Sequence, residues 1–422
     1  MIQQLIDRYK RLRSEHFLAQ TYQCSYAFVG MGQHSLTNLY PVLQYLGVPL
    51  KYICVTSERK ARLIERKFPY MKATISLDDI LADEAIKGVF VSASPSAHFS
   101  LASRILQSAK SLFIEKPPCQ SLQELDALID QQRLYGSPVA MVGMQKRYAP
   151  AVQILQKHLH KEHLISYNLH YLTGNYPEGN ALLDLYIHPL DLVTYLFGKP
   201  EIITCQIVAP ASYILMLRHP QIVGTLELST AYTWTSAEES LKVCTSKGIY
   251  RLSQMEKLTF ESKPSTILGV PYEKIHTHNR TVKYLYVHNN FTPTLPNNPI
   301  YSQGYYSEIQ SFITSVECRN TDARHAVGNG HGGQAAATPE CLNANARHAV
   351  GNSHGGQAAA ARESPIANAR HTVGDGDGGQ AAAIHESIIA DARHALRDGD
   401  RGQVATMSKS PIADARHALG DV

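Results

Sequence analysis

Short apolar runs alternate with amphipathic segments over residues 24–149. The runs CSYAFVG, LKYICVTS, GVFVSASP, SLFIEKP and PVAMVGMQ have the length and composition of buried strands. The segments between them carry apolar residues at helical spacing, and one opens with Ser121 followed by Glu124, a capping-box arrangement. Short strands that alternate with helices predict an α/β domain with a doubly wound parallel sheet.

The pattern changes near residue 150. From there to residue 320, strand-like runs such as HLISYNLHYLT, YILMLRH and IVGTLELSTAYTW accompany one helix, HPLDLVTYLFG. We therefore predict a second, α+β domain over residues 150–320, with a mostly antiparallel open sheet. Residues 1–23 have apolar positions at helical spacing and predict an amphipathic helix packed on the body.

Residues 321–422 are a low-complexity repeat. The triplet Ala-Arg-His begins at positions 323, 346, 369, 392 and 415, so the repeat length is 23 residues. The last Phe, Tyr or Trp of the chain is Phe312. A segment with so little apolar surface cannot offset roughly 1–2 kcal/mol per residue of backbone ordering. We predict a disordered tail; the alternative is a stacked solenoid.

Composition excludes few functions but limits the partners. The chain has 422 residues, 18% of them charged, and a net charge of +4, which is too weak to predict nucleic acid or a membrane as a partner. We find no secretory leader pattern and no apolar run of membrane-spanning length. Seven scattered cysteines without a CxxC pair predict reduced thiols and a cytoplasmic location.

Two glycines stand at the first strand–helix junction, in the stretch VGMGQHS. Gly30 permits a tight turn, and Gly32 lets the backbone approach a pyrophosphate at the start of the helix. Ser35 takes the place of the third glycine of the GxGxxG fingerprint. The junction predicts a dinucleotide site that includes Gly30, Gly32, Gln33 and His34; the alternative is a plain glycine turn.

The second strand ends at Ser57, where sites for NAD usually have an acidic residue that binds the ribose 2′-hydroxyl. The next residues include Arg59, Lys60 and Arg62. A hydroxyl and several cations suit a 2′-phosphate, so Ser57 and Arg62 favour NADP over NAD as the cofactor. The alternative is that these cations belong to a solvated helix start.

Two later strands end in polar residues at the carboxyl edge of the sheet, where open α/β folds bind ligands. The predicted cofactor contacts from these strand ends are Ser94, Pro95, His98, Glu115 and Lys116. The Lys116 ammonium is expected to reach both the nicotinamide and the substrate, and Pro117 fixes the backbone beside it.

The ordered series GMG, SPSAH, EKP, GMQKRYAP and DLYIHPLDLVTYLFG resembles the glucose–fructose oxidoreductase/inositol dehydrogenase (Gfo/Idh/MocA) family over about residues 24–317. The resemblance implies a Rossmann domain followed by an α+β domain whose open sheet often mediates oligomers, so we expect a homo-oligomer. It also implies hydride transfer between NAD or NADP and a carbinol or carbonyl carbon of a small molecule. The expected substrates are sugars or sugar-like compounds, including nucleotide-linked ones.

Within this resemblance, the family's catalytic lysine falls on Lys116 and its Asp-x-x-x-His pair on Asp184 and His188. An imidazole suits the acceptor of the hydroxyl proton, because its unperturbed pKa is near 6.5. Lys116 would stabilise the developing alkoxide, and Asp184 would hold the imidazole or bind the substrate. Three further family positions are expected to serve structure or substrate positioning, namely Arg147, Tyr148 and Asp191.

The sequence departs from the family pattern at two positions near His188. Tyr186 stands where the family commonly has glycine, which predicts a narrower substrate pocket. Pro189 directly follows His188 and suits a first helical turn, so we expect His188 to cap the helix rather than lie within it. The alternative for the pair is an exposed capping histidine and a structural aspartate.

Two other functions remain open from the sequence. One is a non-catalytic dinucleotide-binding sensor or regulator, although such proteins typically lose the lysine or the histidine. The other is reduction of an imine or a tetrapyrrole. The stretch HTHNR at residues 276–280 has no third ligand at suitable spacing, so we predict a surface loop there and no metal site.

Overall fold

The computed structural model describes residues 2–18, 21–275, 282–289, 291–292 and 294–328. The strands of the first domain are β1 (Ser25–Val29), β2 (Leu50–Cys54), β3 (Lys72–Thr74), β4 (Ile86–Val91), β5 (Ser111–Glu115) and β6 (Ala140–Gly143). The helices up to this point are α1 (Ile2–Leu18), α2 (Tyr40–Leu46), α3 (Glu58–Lys67), α4 (Leu77–Leu81), α5 (Pro95–Gln107) and α6 (Leu122–Leu134).

All six strands pair in parallel, in the order β3-β2-β1-β4-β5-β6. Because the order reverses between β1 and β4, a crevice opens beyond the carboxyl ends of these two strands, as in dinucleotide-binding sheets. The predicted doubly wound domain is confirmed. Half of the predicted capping box is present: Ser121 Oγ accepts from the Glu124 amide at 3.2 Å, but the Glu124 carboxylate accepts from the Gln120 amide instead of that of Ser121. The short elements β3 and α4 were not predicted.

The second domain contains an eight-stranded sheet. Its strands in chain order are β7 (Leu164–Leu172), β8 (Glu201–Ala209), β9 (Ser212–Arg218), β10 (Val223–Ser229), β11 (Glu238–Thr245), β12 (Gly248–Ser253), β13 (Lys257–Ser262) and, after a small ribbon of β14 (Thr266–Ile267) and β15 (Val270–Pro271), β16 (Val282–Val287). The order is β16-β13-β12-β11-β7-β10-β9-β8. Among the described strands of this sheet, β7 and β10 alone pair in parallel, so the predicted, mostly antiparallel sheet is confirmed.

The remaining helices are α7 (Pro150–Leu159), α8 (Ile187–Phe197), α9 (Tyr272–Ile275), α10 (Pro299–Ser302) and α11 (Tyr305–Gly328). Two of them, α7 and α8, bury apolar residues against the inner face of the second sheet, where Val152, Leu192 and Leu226 share one core. Short 3₁₀ turns span Gln145–Tyr148 and Leu295–Asn297. The first of these turns links the two domains.

Helix α11 returns to the first domain, although the sequence assigned residues 305–320 to the second. Phe312 is fully buried there, and its ring contacts those of Phe90 and Phe113 at centroid distances of 5.1 and 5.7 Å. Glu317 of the same helix accepts hydrogen bonds from the Cys24 amide and the Tyr26 hydroxyl at the start of β1. This helix therefore ties the end of the second domain to the nucleotide-binding sheet.

The N-terminal helix is present, but its predicted packing is wrong for residues 2–11. The apolar positions Ile2, Leu5 and Tyr9 are 76, 61 and 64% exposed. The helical spacing predicted the helix correctly. An amphipathic pattern does not by itself specify which surface covers the apolar side. The predicted loop at 276–280 and the repeats after residue 328 lie outside the described residues.

The described residues bear on two expectations, about membrane-spanning segments and about the state of the cysteines. None of their helices has the length and hydropathy needed to cross a bilayer. Five cysteines of the described residues, Cys24, Cys54, Cys119, Cys205 and Cys244, are thiols rather than disulfides. Cys318 is disulfide-bonded, so the expectation of reduced thiols throughout does not hold for it.

Candidate active site

The two glycines of the first turn have different surroundings. Gly30 has φ of +92°, and a Cβ at this position would overlap the carbonyl oxygen of Ser92. Its amide donates to the Cys54 carbonyl at 2.9 Å, which joins the turn to the end of β2. A Cβ on Gly32 would meet no atom within 4 Å. Gly30 therefore forms the turn, and Gly32 faces open space of the kind that a dinucleotide would occupy.

Ser35, in the place of the third glycine, is fully buried against the neighbouring strand. Its hydroxyl lies 3.0 Å from that of Ser92, just after β4. A π-helical segment, Ser35–Leu39, begins the helix that follows the turn. The small side chain thus allows close helix–strand packing, as the fingerprint requires.

Ser57 lies at the end of β2 and caps α3, where its Oγ accepts from the Lys60 amide at 3.4 Å. Arg62 is exposed on the same helix. The helix begins at the sheet edge that carries Gly30 and Gly32. The structure thus brings Ser57 to the place where the ribose is held in related dinucleotide sites.

The other predicted cofactor residues lie at the ends of β4 and β5. Ser94 and Pro95 begin α5, and His98 is buried within its first turn. The two ring nitrogens of His98 contact the carbonyl oxygens of Pro117 and Ala93 at 2.7 and 3.0 Å. His98 therefore joins the start of α5 to the segment carrying Lys116, and its ring nitrogens are already occupied.

Lys116 directly follows β5, and the Lys116–Pro117 bond is cis. Its ammonium donates to the backbone carbonyl of Asp184 at 2.6 Å. Burial lowers the pKa of Lys116, against which Glu115 and Asp184 act to raise it. The hydrogen bond brings the first domain's lysine to the second-domain segment that contains the predicted Asp–His pair.

The Asp184 carboxylate is directed toward its own loop. Its Oδ2 accepts from the Asn180 amide at 3.0 Å, and it hydrogen-bonds the side chain of Tyr176. These hydrogen bonds thus join the Asp184 carboxylate to its loop rather than to the His188 imidazole. Asp184 was expected either to hold the His188 imidazole or to bind the substrate. Its side chain does not hold the imidazole, and its main-chain carbonyl instead accepts a hydrogen bond from Lys116.

His188 lies inside a helix, so the expectation that it caps one is wrong. The backbone is helical from a π-helical segment, Leu182–Tyr186, directly into α8, and His188 is the second residue of α8. A proline ring within a helix clashes with the carbonyl four residues earlier. Here a π-helical segment directly precedes the turn that contains Pro189, and the helix continues through the proline. Pro41 likewise follows a π-helical segment.

His188 is buried, with 9% of its surface exposed. Burial holds the pKa of His188 well below its ordinary value, and the charge of Lys116 lowers it further, followed by those of Lys146 and His34. A neutral imidazole within electrostatic reach of an ammonium group can accept a proton from a bound substrate hydroxyl. The alternative of an exposed capping histidine does not fit this burial.

Lys146 is a site residue that the sequence reading missed. It lies in the 3₁₀ turn between the domains and forms a nearly buried ion pair with Glu239 of β11. Its ammonium also lies 4.8 Å from the centre of the Tyr171 ring. The motif GMQKRYAP contained this lysine, but nothing in the sequence indicated a partner 93 residues away.

A second group of polar side chains lies behind Lys116. The Glu115 carboxylate, 5% exposed, is 3.5 Å from His34 Nε2. The His34 ring packs against Tyr305 with centroids 5.7 Å apart, and the Gln145 amide donates to the Tyr305 hydroxyl at 3.3 Å. These contacts fix His34 and Glu115 at the floor of the crevice between the first turn and β5.

The three remaining predicted residues stabilise the domain junction. Arg147 and Asp191 form a buried bidentate ion pair, with a 2.8 Å bond from Nε to Oδ2. The Tyr148 hydroxyl hydrogen-bonds the Ser311 side chain of α11. Paired in this way, Arg147 and Asp191 hold α8, and with it His188, against the inter-domain turn.

Tyr186 does not narrow the pocket as the sequence suggested. Its side chain is fully buried in the second-domain core, and its hydroxyl donates to the Ala211 carbonyl. Its ring lies edge-on to Tyr171 and Tyr213, with centroids 6.1 and 6.0 Å away. The residue is therefore part of the packing beneath the site. Among the described residues there is no cluster of three His, Cys, Asp or Glu able to hold a metal ion.

Comparison with known proteins gives the same first domain. Residues 24–144 match the GFO_IDH_MocA model, described as an oxidoreductase family with an NAD-binding Rossmann fold. Inositol 2-dehydrogenase of Salmonella typhimurium is 23% identical over 187 residues, which are 42% of this chain and 55% of the relative. UDP-N-acetylglucosamine 3-dehydrogenase of Acidithiobacillus ferrooxidans is 32% identical over 155 residues, covering 35% of this chain and 44% of the relative. The matches thus span about half of these relatives.

Solved structures match over both domains. A dehydrogenase from Chromobacterium violaceum aligns with a TM-score of 0.57 at 18% identity, covering 73% of this chain and 95% of the other. Levoglucosan dehydrogenase in complex with NADH and L-sorbose aligns with a TM-score of 0.58 at 17% identity, covering 70% of this chain and 90% of the other. At these identities the likeness shows the shared fold.

The parallel sheet and these matches define a Rossmann domain of the NAD-binding type, followed by an α+β domain. Residues 24–144 thus match the Rossmann domain of the Gfo/Idh/MocA oxidoreductase family.

Proposed function

We propose that the protein is an NAD(P)-dependent oxidoreductase that transfers a hydride to or from a carbinol or carbonyl carbon of a sugar or sugar-like molecule. The observation that carries this proposal is the 2.6 Å hydrogen bond from Lys116 to the Asp184 carbonyl, in a site that also contains the buried His188. It joins an ammonium group at the cofactor edge to the helix that holds a neutral imidazole.

In the oxidative direction, the roles of the side chains follow from their charge. His188 accepts the proton of the substrate hydroxyl, because its depressed pKa keeps it neutral. Lys116 donates a hydrogen bond to the same oxygen and stabilises the alkoxide as it forms. A bound nicotinamide ring supplies the hydride acceptor, or the donor when the reaction runs in reverse. In reduction, His188 returns the proton and Lys116 polarises the carbonyl.

The residues of the first turn fit a dinucleotide. Gly30 is fully packed, Gly32 borders open space, and the helix start can receive a pyrophosphate. We infer that NADP is preferred over NAD, since Ser57 replaces the usual acid and exposed Arg59 and Arg62 lie on the helix it caps. A fluorescence titration with NADPH against NADH tests this preference, and tighter binding of NADH would contradict it.

Substitution of Lys116 by Met tests the chemistry. We expect Lys116→Met to lower turnover of a sugar substrate by roughly 100–1000-fold, the usual cost of removing a transition-state hydrogen-bond donor, while dinucleotide binding is retained. Lys110→Met is the matched control, because Lys110 is also a buried lysine bonded to backbone carbonyls, at 2.8 and 3.1 Å, but outside the site. Full activity of Lys116→Met would refute the mechanism.

The outer face of the second sheet supports a proposal about assembly. Ile214 and Met216 of β9 and Val223 of β10 are 44, 37 and 39% exposed, while Leu215, between the first two, is buried. We propose that a second copy of the chain covers this face in a homo-oligomer. A cytoplasmic location, and the lack of nucleic-acid and membrane partners, remain predictions.

A further inference from the structure

Two loops meet at one edge of the second sheet. Because β7 and β10 are parallel neighbours, the segments that follow them, residues 173–180 and 230–237, leave the sheet on the same side. The amide of Tyr232 donates to the Thr173 carbonyl at 2.9 Å and joins the two loops. This edge is also the one from which the Asp184 segment approaches Lys116.

The loops carry three aromatic side chains, and one of them is the single tryptophan of the chain. Trp234 and Tyr232 are 53 and 55% exposed. The indole is nevertheless fixed, since its N–H donates to the Asn175 carbonyl at 2.8 Å. Its ring also lies edge-on to Tyr176, with centroids 6.5 Å apart. An indole held in one orientation with half its surface open is a preformed stacking surface.

This stacking surface is connected to the active site by direct contacts. Tyr176 touches Trp234 on one side and hydrogen-bonds Asp184 on the other. The carbonyl of Asp184 in turn receives the Lys116 ammonium. The aromatic surface is thus two residues away from the catalytic lysine, outside the space for the reacting carbon. That position suits a part of the substrate that extends beyond the reacting ring.

The charges around the indole indicate the chemistry of that part. Residues 173–180 and 230–239 include Glu178, Glu238 and Glu239 but no lysine or arginine. Lys146 lies next to these loops, but its ammonium is already paired with Glu239. A diphosphate bound beside the indole would have to compete with Glu239 for Lys146 and would meet the exposed Glu178 carboxylate, which is unfavourable. Sugar hydroxyls, in contrast, donate hydrogen bonds to carboxylates, and the C–H face of a sugar ring stacks on an indole because the aromatic face is electron-rich.

We propose that Trp234, supported by Tyr176 and Tyr232, is a binding subsite for a second, neutral sugar ring, so that the substrate is a glycoside or disaccharide rather than a nucleotide-linked sugar. This inference rests on the proposed function, because the reacting ring is taken to lie at Lys116 and His188. On this proposal, Trp234 and its neighbours, rather than Lys116 and His188, determine which substrate length and charge are accepted.

The single tryptophan provides a direct binding signal. Indole emission of the full chain, with oxidised cofactor present, is titrated with cellobiose, lactose, maltose and chitobiose, and in parallel with their monosaccharides, UDP-glucose and UDP-N-acetylglucosamine. We expect at least one disaccharide to shift the emission saturably, at a concentration about 10-fold or more below that of its monosaccharide, which is about 1.4 kcal/mol. A response to UDP-sugars alone, or to no disaccharide, would overturn the proposal.

Kinetics with variants separates the subsite from the chemistry. We expect Trp234→Ala to lower the ratio of kcat/KM for disaccharide to that for monosaccharide by about 10-fold or more, mainly through KM. Trp234→Phe, which keeps an aromatic face, should restore most of this ratio. Tyr70→Ala, at a residue 97% exposed on the first domain, is the control. An unchanged ratio in Trp234→Ala would overturn the subsite even if turnover persists.

The two proposals can fail separately. Energy transfer from Trp234 to bound NADPH or NADH reports the cofactor site without any sugar. If this transfer and the disaccharide response are both present but turnover is absent, the proposed chemistry is wrong and the subsite stands. If turnover is present and the disaccharide response is absent, the subsite is wrong and the chemistry stands.

Discussion

The Lys116 ammonium donates a hydrogen bond to the main-chain carbonyl of Asp184, 2.6 Å away, and this bond joins the two domains at the site. Because the acceptor is a backbone atom, the position of Lys116 depends on the path of the loop rather than on the Asp184 side chain. The carboxylate of Asp184 holds that loop through Asn180 and Tyr176. The position of Lys116 and the conformation of this loop are therefore coupled through one residue.

The first prediction concerns the pH dependence set by Lys146. His188 must be neutral to accept a proton, so kcat/KM for oxidation falls as pH drops through its pKa. The charges of Lys116 and Lys146 lower this pKa. We expect the double variant Lys146→Met/Glu239→Gln, which removes the ion pair as a unit, to raise it and move the acid limb of the profile to higher pH. Lys87→Met, an exposed lysine, should leave the limb in place; a downward shift in the double variant would contradict the assignment.

The second prediction separates the two turn glycines. Gly30→Ala adds a Cβ against the Ser92 carbonyl at a positive φ, so we expect loss of stability, with the backbone strain alone worth about 1–3 kcal/mol. Gly32→Val places its side chain in open space. It should fold normally and raise the Kd for dinucleotide by about 10-fold or more. Thermal unfolding and cofactor titration of both variants give the result. Equal effects of the two substitutions on stability would be inconsistent with this division of roles.

The third prediction tests the cofactor preference at the end of β2. Ser57→Asp keeps a good N-cap residue for α3, so the helix should remain intact. The new carboxylate would repel a 2′-phosphate and bind a ribose 2′-hydroxyl. We expect the NADPH to NADH affinity ratio to fall by about 10–100-fold. Ser76→Asp, at the N-cap of α4, is a control of the same type, and its ratio should stay at the wild-type value.

The fourth prediction concerns the outer face of the second sheet. If a second copy covers this face, Met216→Lys places a charge in an apolar interface and should convert the oligomer to monomer. Light scattering after gel filtration measures the mass. Leu134→Lys, at a residue 77% exposed on α6, should leave the mass unchanged. A wild-type chain that is already monomeric at high concentration would end this proposal.

The sequence was sufficient for elements with a strong local signal. Strand and helix periodicity gave the first sheet, and the cap at Ser121 follows from two residues three positions apart. Lys116 and His188 could be proposed as site residues because their motifs are local. The position of His188 within a helix could not be predicted, because a proline normally ends a helix. The π-helical segment before Pro189 has no recognisable sequence pattern.

Contacts between distant segments could not be predicted. The pair of Lys146 with Glu239 joins an inter-domain turn to a strand 93 residues later. The return of α11 to the first domain depends on Phe312 filling a gap beside Phe90 and Phe113, which no periodicity specifies. For α1, in contrast, the apolar pattern predicted contacts that are not formed, because the apolar side chains of residues 2–11 are exposed.

The last prediction concerns a buried carboxyl group on α11. Glu308 is fully buried, and the Met144 backbone approaches its carboxyl group and acts to lower its pKa, but without a hydrogen bond of normal geometry. Burial, and then the charge of Glu115, hold the pKa of Glu308 well above its ordinary value. A raised folded-state pKa stabilises the protein below the unfolded pKa near 4.3, and this contribution is lost as pH rises through the folded pKa. Glu308→Gln should therefore raise Tm by a few degrees at alkaline pH and little near pH 4.

Glu317→Gln on the same helix should lower Tm, since Glu317 accepts three hydrogen bonds. A lower Tm in Glu308→Gln at alkaline pH would show that the carboxylate is ionised and paired.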